Sequence, residues 1–286
     1  MSQRIVCWFS CGAASAVATK LAIESNKASP APKELVVASI FLKEEHPDSE
    51  RFKRECSTWF GQSIVDLRND KYNASVDEVI DKTSYMSGVY GARCTKELKK
   101  QVRLDWQHDD DIHVFGMTVD EQSRIDGLID TEPTLELWAP LIDKGLTKKD
   151  CFEFINRAGI ELPEMYKLGY YNNNCVGCLK ATGAGYWNKI RVDFPDVYAT
   201  RAEQERRLGV ALVTMSKDKF KKQYPNVYEK MTLEGCDKTK TSVRKRKNGD
   251  KYDYITQMIP LRYLPSDAGH HKDLDIGNCG FFCESK

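Results

Sequence analysis

The first 25 residues of this chain constrain its fold more than any other segment. Residues 4–9 form a short apolar run that breaks into the small-residue loop Ser10-Cys11-Gly12-Ala13-Ala14-Ser15 and continues as an Ala-rich stretch with helical spacing over 15–25. A strand delivered through a tight loop into a helix aims backbone N–H groups and the positive end of the helix dipole at one point, where an anion is stabilised. Ser10 and Ser15 offer hydroxyl donors as well, and Gly12 lets the backbone approach an oxyanion. The loop is neither the dinucleotide fingerprint nor a Walker loop, which needs Gly-Lys-Ser/Thr. Taken alone, it is also compatible with a tight turn whose small residues serve packing.

The same alternation continues downstream. Residues 35–42, 63–67 and 112–117 read as strands, and residues 48–60, 75–83 and 95–106 as helices. Residues 138–142 read as a further strand. Thr147 then stands where an N-cap belongs, ahead of the apolar spacing Cys151, Phe154, Ile155, with Gly159 as the stop. Strands alternating with helices predict an α/β fold, a parallel twisted sheet flanked by helices in the Rossmann-like manner. Residues 170–185, rich in Asn and Gly, predict an ordered loop, and residues 196–208 a charged surface helix. Beyond them, residues 243–247 and 251–258 flank Asn248-Gly249, a hairpin signal. The expected organisation is a nucleotide-binding domain over 1–190 and a C-terminal helical and hairpin extension over 191–286.

The 286 residues carry 43 basic and 42 acidic side chains, so no global field draws the chain to nucleic acid or to a membrane. The balance hides a local excess: residues 217–251 hold 12 Lys/Arg against 5 Asp/Glu, a net of +7 that leaves −6 for the rest. Within that stretch Arg244, Lys245, Arg246 and Lys247, with Tyr252 and Tyr254 nearby, are candidates to clasp a nucleic-acid backbone and stack on a base. The same charges also suit a solvated edge hairpin protected from strand-to-strand aggregation. No apolar run approaches the roughly 20 residues of a spanning helix, and no secretory leader pattern opens the chain. A cytoplasmic location without membrane contact is therefore expected.

In that setting ten cysteines read as metal ligands, nucleophiles or core residues rather than disulfides. Cys175-Val176-Gly177-Cys178, in a polar Gly-containing context, brings two thiolates within reach of one soft metal, which suits an iron–sulfur cluster or zinc. Cys94 in Arg93-Cys94-Thr95, and Cys279 and Cys283 in Cys279-Gly280-Phe281-Phe282-Cys283, are further candidates. An iron–sulfur cluster, structural zinc and plain buried thiols all remain open on these residues alone. Cys7, Cys56 and Cys151 lie in apolar patterns and are expected in the core.

Several of these segments, taken together, resemble a known family. Ser10-Cys11-Gly12-Ala13-Ala14-Ser15 is similar to the pyrophosphate loop of the adenine nucleotide α-hydrolase superfamily, usually Ser-Gly-Gly-x-Asp-Ser. His46-Pro47-Asp48, Arg93-Cys94-Thr95 with Leu98-Lys99, Gly116 with Glu121 and Arg124, and Pro140-Leu141 follow in the order of its phosphoadenosine phosphosulfate reductase branch. Cys11 departs from the usual Gly, and Ala14 from the Asp associated with metal or nucleotide handling. The resemblance runs from about residue 4 to residue 187. It implies an ATP-type adenine nucleotide on Ser10, Cys11, Gly12, Ala13, Ala14, Ser15 and Gly116, with Glu121 and Arg124 on the substrate face and a Mg²⁺ ion as a candidate companion. It further implies a [4Fe–4S] cluster on Cys94, Cys175 and Cys178, whose fourth position falls to Cys283 or Cys279 or stays open, and Cys279 as the catalytic thiol.

The implied activity is ATP pyrophosphate hydrolysis that adenylates a substrate for sulfur transfer or substitution, served by a sulfur donor or an electron donor protein. One alternative is a sulfonucleotide reductase using Cys279 as nucleophile. The other is a non-catalytic nucleic-acid-binding protein that kept the fold.

Overall fold

The computed structural model describes residues 3–88, 91–245 and 249–274. Cys279, Cys283, Arg246 and Lys247 lie outside these residues, and of Lys245 only the backbone is described. In chain order the strands are β1 (Ile5–Trp8), β2 (Leu35–Ile40), β3 (Ile64–Leu67), β4 (Ser87–Gly88), β5 (Gly91–Ala92), β6 (Ile112–Val114), β7 (Glu136–Trp138), β8 (Val213–Ser216), β9 (Thr239–Lys245) and β10 (Lys251–Ile259). The described residues separate into two compact units. One holds the chain up to Val79 and Cys94–Cys175; the other holds Ile80–Arg93 and the chain from Val176 onward.

The first unit is built on a five-stranded sheet of order β3-β2-β1-β6-β7, parallel throughout. Every residue of β1 is buried, as a parallel strand covered on both faces requires. The period of two sorts β1 between two cores. Ile5, Cys7 and Phe9 join a cluster with Val17, Phe52, Phe60, Leu141 and Ile155, while Val6 and Trp8 join one with Val102, Phe115, Ile125 and Leu128. Cys7, Cys56 and Cys151 are fully buried in the first cluster, as their apolar settings predict. Burial pushes all three thiols up, Cys151 to about 12, so they stay protonated core residues.

Helix α1 (Ala13–Ala28) starts two residues before the expected boundary, and α2 (Asp48–Phe60) matches its expectation. Thr147 caps helix Lys148–Arg157 in a reciprocal box: the Asp150 N–H donates to Thr147 Oγ1 at 3.3 Å, and the Thr147 N–H donates to Asp150 Oδ2 at 2.7 Å. Gly159 ends the apolar run in the left-handed conformation, φ +72°.

Two boundaries differ from the sequence reading. The strand expected over 138–142 is β7, which ends at Trp138, and Pro140–Asp143 is a helical turn. Pro140 is the reason, because its fixed φ and missing N–H suit the first helical position. The helix expected over 95–106 begins at Arg93 and passes through a wide π-type turn at Lys96–Lys100.

The second unit combines helices Ala184–Asp193 and Pro195–Leu208 with an antiparallel sheet of order β8-β10-β9. Trp187, Ile190, Phe220, Met231 and Ile259 are fully buried in it. The expected hairpin is β9 paired with β10, and Gly249 at its turn has φ +89°. Glu205, 1 % exposed, accepts backbone N–H bonds from Leu212 and Leu261, both at 2.6 Å, and so ties helix Pro195–Leu208 to two loops. Burial still pushes its carboxyl up to about 7.

His113 of β6 gives the first unit an acid-sensitive element. Its Nδ1 accepts from Trp8 Nε1 at 2.9 Å, which fixes the neutral imidazole. Burial, reinforced by the Arg103 charge, lowers its pKa from 6.5 to about 4. A histidine with a depressed folded pKa stabilises fully above its unfolded value and loses that contribution as pH falls toward the folded one. Stability of the first unit is therefore expected to drop between pH 6.5 and 4, by on the order of 3 kcal/mol from this residue. In urea titrations across that range, His113→Phe should be less stable than the parent at pH 8 and should flatten the acid limb. An unchanged acid limb would contradict the assignment.

Candidate functional site

The strand order places a topological switch point between β1 and β6, because the chain moves outward through β2 and β3 on one side and through β6 and β7 on the other. Open α/β sheets bind ligands in the crevice beyond the strand C-termini at such a point. Two segments leave the sheet there: the loop Ser10–Gly12 after β1, and the segment carrying Gly116 after β6.

Cys11 shapes the loop. Its φ is +54°, the left-handed conformation that favours glycine. Such a position costs on the order of 1 kcal/mol or more, and several contacts offset it. The side chain is buried with its Sγ 4.0 Å from Ser39 Oγ, and the carbonyl accepts from Asn173 Nδ2 at 2.8 Å. Asn173 Nδ2 also donates to Ser49 Oγ at 3.1 Å. Burial first, then the Glu45 charge, raises the Cys11 thiol, so it is a packing group rather than a nucleophile.

Ser15 closes the loop from inside. Its hydroxyl donates to the Gly12 carbonyl at 2.9 Å and accepts from the Ser10 N–H at 3.1 Å and the Ser10 hydroxyl at 3.2 Å. The expected role of Ser15 as a ligand donor is thus taken by an internal bond. The Ala13 N–H donates to the hydroxyl of Tyr166, 3.3 Å away. Among the described residues no protein acceptor meets the N–H groups of Cys11, Gly12, Ala14 or Ser15. They gather at the N-terminus of a 16-residue helix whose first turn carries no acidic side chain. The site is therefore built from backbone donors and a dipole, with no carboxylate of α1 to oppose an anion.

Gly116 holds this arrangement against β6. A Cβ there would overlap Ser15 N and Cα and stand 2.8 Å from the Ala14 carbonyl carbon, so backbone packs directly on backbone. Gly12 is less confined: its φ is −102°, and a Cβ would meet only the Tyr166 hydroxyl at 3.3 Å and Ser10 Oγ at 3.8 Å.

The other expected residues are placed as follows. Glu121 closes a capping box with Thr118, whose N–H donates to Glu121 Oε2 at 3.2 Å, and Arg124 pairs with Glu121. Cys94 is half-buried and Cys175 buried in the first unit; Cys178 is buried in the second. Between the paired thiols, Gly177 has φ +67°, and a Cβ would stand 2.6 Å from Val197 Cγ1. The Gly177 carbonyl accepts from Nε of Arg201 at 3.3 Å, and the Cys178 N–H donates to the Tyr186 hydroxyl at 2.9 Å. Arg201 is 2 % exposed, a buried cation beside the turn that carries Cys178. Among the described residues the one grouping of three potential metal ligands is His108, Asp110 and Asp111. Asp111 there is engaged by Arg4 at 2.6 Å and by the His108 N–H at 2.8 Å, which accounts for the cluster as a turn.

Three participants escape sequence reasoning. Tyr166 reaches α1 from a short helix 153 residues away, and burial holds its phenol at about 12. Lys148 donates to the Tyr171 carbonyl and to Asn172 Oδ1, with its Nζ 3.8 Å over the Tyr171 ring. Arg201 sits in a helix that reads as a charged surface element. The run Asn172-Asn173-Asn174 is the only local signal for any of these contacts, and it marks the loop without naming its partner.

No family model and no curated protein matches this chain. No described helix is long and apolar enough to cross a membrane.

Substitution distinguishes the two glycines. Gly116→Ala is expected to destabilise the first unit by about 1–3 kcal/mol, because the backbone it strikes belongs to the start of a helix. Gly12→Ala should change stability by less than about 1 kcal/mol, since a side-chain hydroxyl can give way. Chemical denaturation of the two variants measures the contrast, and equal stabilities would contradict the close approach.

Proposed function

We propose that this chain is an adenine-nucleotide-dependent enzyme of the phosphoadenosine phosphosulfate reductase family, which cleaves ATP to AMP and pyrophosphate and so adenylates an acceptor for sulfur transfer or substitution. One observation carries the reading: four loop and helix-start N–H groups that meet no protein acceptor among the described residues, at the N-terminus of α1 and at the switch point of a parallel sheet. The family-specific part rests on the resemblance of the loop and the segments that follow it.

In this reading the α1 N-terminus holds the pyrophosphate portion of ATP. An acceptor oxygen attacks the α-phosphorus, the bond from that phosphorus to the bridging oxygen breaks, and pyrophosphate leaves with the electron pair. The backbone donors stabilise the charge that develops on it, and they are already aimed before the reaction begins. The acceptor oxygen, now carrying AMP, becomes a good leaving group for an incoming sulfur. With Ala14 in the place of an Asp, a Mg²⁺ ion accompanying the nucleotide would take its protein ligands from outside the first turn of α1.

The donor set at Cys175 and Cys178 suits a soft metal. Both thiols are buried, one on each side of the left-handed Gly177. These two residues, with Cys94 added by the resemblance, would hold an iron–sulfur cluster, which when bound supplies iron coordination for sulfur.

Two measurements test this function. Calorimetry with ATP should show binding that Gly12→Val reduces at least about tenfold in a folded protein, since a branched side chain obstructs the approach to the loop. Absence of ATP binding would overturn the proposal, and preferential binding of phosphoadenosine phosphosulfate would move it to a sulfonucleotide reductase. Separately, protein purified without oxygen should contain iron and sulfide, lost in Cys175→Ala and Cys178→Ala but retained in Cys151→Ala. A colourless protein with stoichiometric zinc would reassign the thiolates to a structural metal.

A further inference from the structure

The antiparallel sheet of the second unit carries an asymmetry that the nucleotide site does not explain. In the β9–β10 ladder Arg244 lies opposite Tyr252, Ser242 opposite Tyr254, and Lys240 opposite Thr256. Directly paired residues share a face, and alternate residues along a strand return to it. One face of the hairpin therefore presents Lys240, Ser242, Arg244, Tyr252, Tyr254 and Thr256, with no carboxylate among them. The opposite face carries Asp253, Val243 and Ile255, and closer to the core its Gln257 and Ile259 are fully buried. Toward the turn both faces are open, with Val243 64 % and Ile255 42 % exposed on the second; on the first, Lys240 and Arg244 are exposed and Tyr252 is 36 % exposed.

The aromatic and cationic groups on this face are interleaved. The Arg244 guanidinium carbon lies 3.5 Å from the centroid of the Tyr254 ring, a cation–π contact within this face. The stretch 217–251 has a net charge of +7 in a chain whose remainder is −6.

We infer that this face is a docking platform for single-stranded nucleic acid, with Tyr252 and the Arg244–Tyr254 stack receiving bases and Lys240 and Arg244 contacting phosphates. Single strands need both features, because unstacked bases rest on aromatic rings or guanidinium planes while the backbone follows positive charge. A duplex hides its bases from such a surface, and an acidic peptide would use the cations but not the rings. The inference does not depend on the nucleotide-site reading, since every residue it uses lies in the β9–β10 hairpin.

Fluorescence anisotropy of the full chain with labelled oligo-dT and oligo-U of about 20 nucleotides tests it, with a duplex and polyglutamate as competitors. A single strand should bind with an affinity that falls linearly with the logarithm of salt concentration. Tyr252→Ala should weaken binding at least about fivefold, whereas Tyr252→Phe retains it. Arg244→Gln and Lys240→Gln should each weaken it and reduce the salt slope by about 0.7. Lys27→Gln, the same charge loss at an exposed position near the end of α1, should leave it unchanged. The platform is refuted by undetectable binding, by equal losses in Arg244→Gln and Lys27→Gln, by indifference to Tyr252→Ala, or by stronger competition from duplex or polyglutamate than from an unlabelled single strand.

Discussion

The direction in which α1 leaves the sheet depends on a single left-handed residue, Cys11. At that position the chain must reverse from the end of β1 into a helix running back over the sheet face. A right-handed residue there would carry the helix N-terminus away from the crevice beside β6. The strain is held by buried contacts on each side: Ser39 against the sulfur, Asn173 on the carbonyl, and the Ser15 hydroxyl closing the turn onto Gly12. With the turn fixed, Gly116 can come backbone to backbone against Ser15, and the loop N–H groups face the switch point. The fold, the loop and the chemistry proposed for it all follow from that conformation.

The described cysteines divide by environment. Cys7, Cys11, Cys56 and Cys151 are buried among apolar groups that hold their thiols protonated, so they serve as small core side chains. Cys178 differs because the turn that carries it lies beside a buried arginine and is shaped by a left-handed glycine. Sequence spacing alone could propose this contrast; the surroundings supply its physical reason.

Much of the secondary structure was legible because its signals are local. The strand–loop–helix at 4–25, helix 48–60, the Thr147 cap and the Asn-Gly hairpin each rest on residues within one turn or one strand pair of each other, and the structure bears them out. The strand expected at 138–142 fails for a local reason as well, since Pro140 carries a helix-start signal that the apolar pattern outweighed. What was not legible is long-range. Tyr166 on the Ala13 N–H and Asn173 on the Cys11 carbonyl span 153 and 162 residues. Arg201 hides in a helix whose composition reads as solvent-facing, and only the packing around Gly177 reveals that it is buried. Nor could the sequence show that the hydroxyl of Ser15 is spent inside the loop.

The central claim is that backbone donors at the start of α1 bind the phosphates of an adenine nucleotide. Amide hydrogen exchange resolved at the residues of this loop measures it directly. With saturating ATP the N–H groups of Gly12, Ala14 and Ser15 should gain strong protection, while amides at the far end of α1 change little. ATP that binds the protein yet leaves those three amides exchanging at their original rates would contradict the account and place the nucleotide elsewhere.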